Sequence, residues 1–370
     1  MRDEVVTLFK KGHQYFKSNR LEEALAVFED GLQLQPENTY FLTGMGDVHR
    51  RLNLPAKAVH FYERVLRQNP KNLFALRGMG DVYRDLEHPE QAILYWERYI
   101  DHRPRDIFVL TRIATGYKQL ERWHEAEHYF REALQVDSRD RYVLLGLADL
   151  FHKTDRTEAA IAYYEKVLDT GAELINVLTM VGNLCSQRQD MSKAKVYFER
   201  ALQIEPDNPY ALYGLGDCHR FLGDHHRAIE LWERILEKGE GTVNMLSRLG
   251  DAYRNIGHYA SAERTYNSAL DNGYDKYALI GLAKLRCLQE KIEEVYDIFR
   301  KMLTREQNDP RFINELGKQL IEHDSRENFA AFCQTVLRDG KIPEETRERL
   351  QNFSEALPGF DAGDVFRSSP

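Results

Sequence analysis

The chain has 370 residues, 42% hydrophobic and 30% charged, with 51 basic against 59 acidic side chains and a net charge of −8. That balance suits a globular chain, offers no run near the ~20 apolar residues of a membrane-spanning helix, and argues against nucleic acid as a partner. Four widely spaced cysteines, Cys185, Cys218, Cys287 and Cys333, form no CxxC pair and read as reduced packing residues, not as a disulfide or zinc framework. The start, Met1-Arg2-Asp3-Glu4, carries no apolar signal core, so a cytoplasmic location is expected.

Along the chain, eight alanines stand 34 residues apart: Ala24, Ala58, Ala92, Ala126, Ala160, Ala194, Ala228 and Ala262. Four residues after each comes an aromatic: Phe28, Tyr62, Trp96, Phe130, Tyr164, Phe198, Trp232 and Tyr266. An i, i+4 pair shares one helical face, so each alanine and ring make a notch and a knob. Twelve residues before each alanine lies a second small residue: Gly12, Gly46, Gly80, Ala114, Ala148, Gly182, Gly216 and Gly250. Two small positions per unit predict two helices in close contact, joined by short polar turns such as Lys17-Ser18-Asn19-Arg20 and Leu222-Gly223-Asp224-His225. Pro36, Pro70, Pro104 and Pro206 stop the second helix of their units, because proline lacks the amide proton and crowds the preceding turn.

This pattern resembles the tetratricopeptide repeat. The resemblance implies an all-α, right-handed superhelical solenoid of stacked helix-turn-helix hairpins. Residues 1–276 read as eight gapless units, the first beginning near residue 5, and 277–343 as two degenerate hairpins. In the ninth unit Lys284 is expected at the first small position, with one residue lost from the turn so that Tyr296 and Phe299 replace the alanine and ring. The tenth keeps Leu316-Gly317 but places Phe329 and Cys333 at those positions. A helix over 344–357 would cap the stack with a polar outer face, and 358–370 reads as a disordered tail.

Candidate chemistry dissolves against this frame. His124-Glu125-Ala126-Glu127-His128 matches the H-E-x-x-H zinc helix, but its central alanine is the notch of the fourth unit and the histidines on either side point away from the seam. Gly44-Met45-Gly46-Asp47 and its counterparts Gly78-Met79-Gly80-Asp81 and Gly214-Leu215-Gly216-Asp217 sit mid-helix, without the strand and Gly-Lys-Ser/Thr of a phosphate loop. His225-His226 falls in a predicted inter-helix turn. No nucleophile, base and orienting residue converge, so no catalytic residue, metal or cofactor is expected.

A polar series on the first helix is what remains. Asp47, Asp81, Asp149, Asp217 and Asp251, with Asn183 in a sixth unit, follow the small position, and Arg50, Arg84, Lys118, His152, Arg220 and Arg254 stand three residues on. At i, i+3 these residues can form a ladder of alternating charge. The resemblance places the series at repeat positions 9 and 12, on the concave groove, and adds an aromatic stripe at position 2: Tyr40, Phe74, Phe108, Tyr142 and Tyr210. Position 5 reads Thr43, Arg77, Thr111, Leu145, Thr179, Tyr213 and Ser247, which departs from the Lys and Asn pattern of family members that clamp a C-terminal carboxylate. Rings beside charge-assisted donors and acceptors suit an extended peptide. The expectation is a non-catalytic scaffold or adaptor that binds an extended peptide or helix of a protein partner, with no nucleic acid and no membrane insertion. The alternatives are a regulatory or substrate-presenting subunit of an enzyme assembly, or a structural scaffold self-associating through its C-terminal hairpins.

Overall fold

The computed structural model describes residues 2–271, 273–306, 311–338 and 342–355; the expected tail at 358–370 and the end of the expected last helix at 356–357 lie outside them. Among the described residues there are 21 α-helices and no strand. The first compact unit, Met1–Glu173, holds α1 (Arg2–Lys17) with α2 (Leu21–Leu34), α3 (Thr39–Arg51) with α4 (Pro55–Gln68), α5 (Leu73–Asp85) with α6 (Pro89–Ile100), α7 (Ile107–Gln119) with α8 (Trp123–Val136), and α9 (Arg141–Lys153) with α10 (Thr157–Asp169). The second, Leu174–Pro370, holds α11 (Ile175–Gln187) with α12 (Met191–Ile204), α13 (Pro209–Phe221) with α14 (His225–Glu237), α15 (Val243–Asn255) with α16 (Tyr259–Asp271), and α17 (Lys276–Leu288) with α18 (Ile292–Arg305). It continues through α19 (Arg311–His323), α20 (Arg326–Arg338) and α21 (Glu344–Glu355).

Each odd helix packs against the even helix that follows it, and odd helices also touch one another, as in α1 with α3, α3 with α5, α7 with α9, α11 with α13 and α15 with α17. The even helices make no comparable contact with one another among the described residues. Glycine permits the approach. The Phe28 ring lies between Gly12 and Gly44, Tyr62 between Gly46 and Gly78, Phe198 between Gly182 and Gly214, and Tyr266 between Gly250 and Gly281. A Cβ at any of these glycines would lie 2.3–2.7 Å from the ring, closer than two carbons can pack. All eight repeat alanines and their eight rings are buried.

The turn between paired helices repeats as faithfully as the core. Its left-handed residue recurs at Asn19, Asn53, Glu87, Glu121, Asp155, Gln189, Gly223 and Gly257, and then at Glu290. Around Asn53, the Leu54 amide donates to the His49 carbonyl at 2.9 Å and the Asn53 amide to Arg50 at 3.0 Å. This is the Schellman arrangement that satisfies the last carbonyls of a helix. At the other end, Asn38, Asn72, Asp106, Asp140, Asn208, Thr242 and Asp275 cap odd helices by accepting backbone amides. Leu174, ahead of α11, offers no side-chain cap.

The register of the ninth hairpin differs from the expectation. Val243 to Lys276 spans 33 residues, whereas Val243 to Tyr259 and Lys276 to Ile292 are both 16, so the missing residue lies between α16 and α17 and not in the hairpin turn. The small position is therefore Ala283, and the alanine and ring positions are Val295 and Phe299, all three fully buried. Lys284 reaches out to Glu315, and Tyr296 donates its hydroxyl to Asp324 at 2.9 Å. Beyond it, Phe299, Phe312, Phe329 and Cys333 share one apolar cluster with Leu350 of α21, which packs on α19 and α20. His225 and His226 open α14 instead of lying in a turn, with Asp224 as the cap.

Candidate functional site

The rings at the second residue of odd helices are the exception to the buried aromatics. Tyr40, Phe74, Phe108 and Tyr142 in the first unit are 62–73% exposed, as is Tyr210 in the second. Tyr277, 57% exposed, takes the same place on α17; the shortened segment before that helix hides it from a strict 34-residue count.

The aspartates are held from within. Asp47 accepts the Tyr62 hydroxyl at 2.5 Å, Asp149 that of Tyr164 at 2.6 Å, and Asp251 that of Tyr266 at 2.7 Å. Burial pushes the Asp47 carboxyl above its ordinary value despite the bond from Tyr62. Where the ring is tryptophan the carboxylate turns to the next hairpin: Asp81 accepts Arg112 at 2.7 Å, and Asp217 accepts Arg248 at 2.5 Å and Arg220 at 2.8 Å. Arg112 and Arg248 stand where Gly44, Gly78, Gly146, Gly214 and Gly281 stand in other hairpins. Where the ring is phenylalanine, as in Phe28, Phe130 and Phe198, the residue after the small position is His13, Thr115 or Asn183. A phenyl ring has no hydroxyl to offer, and no aspartate is placed to meet it.

The basic half of the ladder is mixed. Arg50 and Arg84 both bond Asp85, at 3.0 and 2.7 Å. Burial pushes the Asp85 carboxyl up, but these two partners outweigh it and leave it below its ordinary value. Lys118 lies 3.7 Å from Asp149, and Arg254 bonds Asp251 at 2.9 Å. Asn183 is exposed, and its amide has no side-chain partner among the described residues.

Comparison with known proteins agrees with this architecture. Tetratricopeptide repeat models match residues 5–172, 175–208 and 209–273. The chain belongs to the tetratricopeptide repeat family. Similar solved structures include PilF of Pseudomonas aeruginosa, 18% identical over 57% of this chain and 96% of that one at a TM-score of 0.48, and MamA, 20% identical over 47% and 94% at 0.44. A third, YrrB, described as a TPR protein with an unusual peptide-binding site, is 19% identical over 50% and 95% at 0.46. No curated protein matches the chain by sequence.

Within the tetratricopeptide units, clefts open beside the position-2 rings. One of about 770 Å³ in the first unit is lined by Phe74 and Phe108, by Arg77 of α5, and by His102, Arg103 and Arg105 of the α6–α7 connection. One of about 650 Å³ in the second unit is lined by Asn183, Tyr210, Tyr213, Glu240 and Met245. Arg103 and Arg105 escape a reading based on helix positions because they belong to the connection; their signal in sequence is the basic pair around Pro104. His124 and His128 are exposed on α8, with Ala126 buried between them. No group of three metal-ligating side chains occurs among the described residues, and no helix there is long and apolar enough to cross a membrane.

Proposed function

We propose that the odd-helix face of each unit binds an extended segment of a protein partner, which makes the chain an interaction scaffold without catalysis of its own. The observation that carries this reading is the exposure of Tyr40, Phe74, Phe108, Tyr142 and Tyr210 at 62–73% on helices whose other large apolar side chains are mostly buried. Rings standing in water beside hydrogen-bonding groups are what interfaces use as anchors. The Asp and Arg series supports this face chiefly by building it. Asp47, Asp149 and Asp251 hold tyrosines of the following helix, while Asn183 and the unpaired Arg77 remain available to a backbone or side chain.

The test places a photo-crosslinking phenylalanine analogue at Phe108, at Tyr210 or, as a control, at His124 on the far side of its hairpin. We expect one partner from the source cell to be captured through Phe108 or Tyr210 and not through His124. We also expect Phe74→Ala/Phe108→Ala/Tyr142→Ala to lose a partner captured through Phe108 while keeping its helical circular dichroism. Capture through His124 alone, or undiminished capture by the ring variant, would overturn the reading.

A further inference from the structure

We infer that the cleft between Phe74 and Phe108 is a receptor for an acidic linear peptide carrying an apolar anchor residue. The inference rests on the face proposed above and names the chemistry of its ligand in the first unit. Three guanidiniums, Arg77, Arg103 and Arg105, line this cleft together with His102. All three are exposed, and none makes a hydrogen bond or ion pair through its side chain with a described residue. That sets them apart from Arg50, Arg84, Arg112, Arg220, Arg248 and Arg254, each of which bonds an aspartate.

The one carboxylate lining the cleft is already engaged. Asp106 accepts the backbone amides of Phe108 and Val109 as the cap of α7 and also takes the Tyr99 hydroxyl at 2.7 Å. Arg103, Pro104 and Arg105 lie in the short connection ahead of that cap, where Pro104 has its own backbone φ fixed. Phe74 and Phe108, 62% and 73% exposed, flank the cations with apolar surface. Carboxylates suit guanidinium forks through paired hydrogen bonds, and an aliphatic or aromatic side chain between them would cover the rings. A peptide fits better than a nucleic acid, because only three guanidiniums line this cleft, in a chain whose net charge is −8. The second unit supplies an internal contrast. Its cleft at Tyr210 is lined by Asn183 and Glu240 and by no cation, and the Arg248 guanidinium beside the Tyr213 ring is held by Asp217.

The experiment uses the full chain and fluorescein-labelled synthetic peptides of one length: alternating glutamate and glycine with a central phenylalanine, the same with glutamine, the same with lysine, and the glutamate peptide with alanine for phenylalanine. Anisotropy should show the glutamate–phenylalanine peptide binding at least ~10-fold more tightly than the glutamine or lysine versions. The double variant Arg103→Gln/Arg105→Gln and the double variant Phe74→Ala/Phe108→Ala should each weaken it by a similar factor, and His124→Ala, exposed on α8 and not among the residues lining the cleft, should leave it unchanged. All these side chains are exposed, so unchanged circular dichroism is expected throughout. No binding of the acidic peptide, equal binding of the glutamine peptide, loss with the arginine but not the ring variant, or equal binding of a single-stranded oligonucleotide would each overturn the inference. Crosslinking through Phe108 persisting alongside a failed acidic peptide would show that the ligand chemistry, and not the face, was misassigned.

Discussion

At the scale of single residues, the choice of ring on the even helix dictates what stands on the odd one. Tyrosine comes with aspartate after the small position, and its hydroxyl donates to that carboxylate, as Tyr62 does to Asp47. Tryptophan also comes with aspartate, but the Trp96 indole nitrogen finds no partner and that of Trp232 donates to the Tyr213 carbonyl at 3.3 Å; the carboxylate is met instead by Arg112 or Arg248. Removing one member of such a pair leaves a desolvated group unmet, which costs about 1–3 kcal/mol, while replacing both can be nearly neutral. Tyr62→Phe should therefore destabilise the α3–α4 hairpin by about 1–2 kcal/mol. Tyr62→Phe/Asp47→Ala, which removes both polar partners, should recover most of the loss. Hydrogen exchange of amides in α3 and α4 is the suitable probe, because a stack of repeats opens locally. Equal protection in the wild type and the single variant would show that the hydrogen bond contributes nothing.

At the scale of elements, the 34-residue spacing made the hairpins legible, since alanine, ring and second small residue are large signals repeated eight times. What it did not reveal was why the ladder exists. The partner of Asp47 is Tyr62, fifteen residues away on another helix, and i, i+3 spacing draws attention to Arg50 instead. The ninth hairpin departs from the strict period for a related reason: Lys284 falls on that period, but helix starts shift when the connection before α17 loses a residue. The turns were legible as polar segments, though not as sites of backbone strain. Seven described residues other than glycine adopt positive φ, six of them at the repeating turn position of the first six hairpins and the seventh, Glu290, in the ninth. Glu121, exposed with φ of 57°, bears the steric cost of the left-handed region, about 1–2 kcal/mol, whereas glycine adopts it freely and loses roughly 0.5–1 kcal/mol in chain entropy. Glu121→Gly should raise stability by about 0.5–1 kcal/mol, visible as slower exchange in α7 and α8. Gly223 and Gly257 show that the turn accepts glycine. A decrease in protection would mean that the Glu121 side chain contributes an interaction outweighing the strain.

At the scale of the whole molecule, both units carry the same buried phenols, and these set how the chain responds to alkaline pH. Burial raises Tyr62 well above its ordinary value, as it does Tyr164 and Tyr266, and hydrogen bonds or charge from Asp47, Asp149 and Asp251 push in the same direction. Tyr117, buried and bonded to Glu97, is pushed up to about 12. An unfolded chain releases these protons near pH ~10, while the folded chain keeps them. The stabilisation from neutral, bonded phenols is therefore complete below about pH 10 and falls as pH climbs from there toward the folded values, by roughly 1.4 kcal/mol per pH unit for each such tyrosine. Tyrosinate absorbance should consequently rise in two stages, the second coinciding with loss of helical circular dichroism. Tyr164→Phe/Asp149→Thr, the pairing that Phe130 and Thr115 already display, should make the α9–α10 hairpin less sensitive to pH in that window without removing its packing. A single absorbance stage completed near pH ~10 with helicity intact would mean that the phenols reach water in the folded chain, and the carboxylates of the ladder would then be free to meet a ligand.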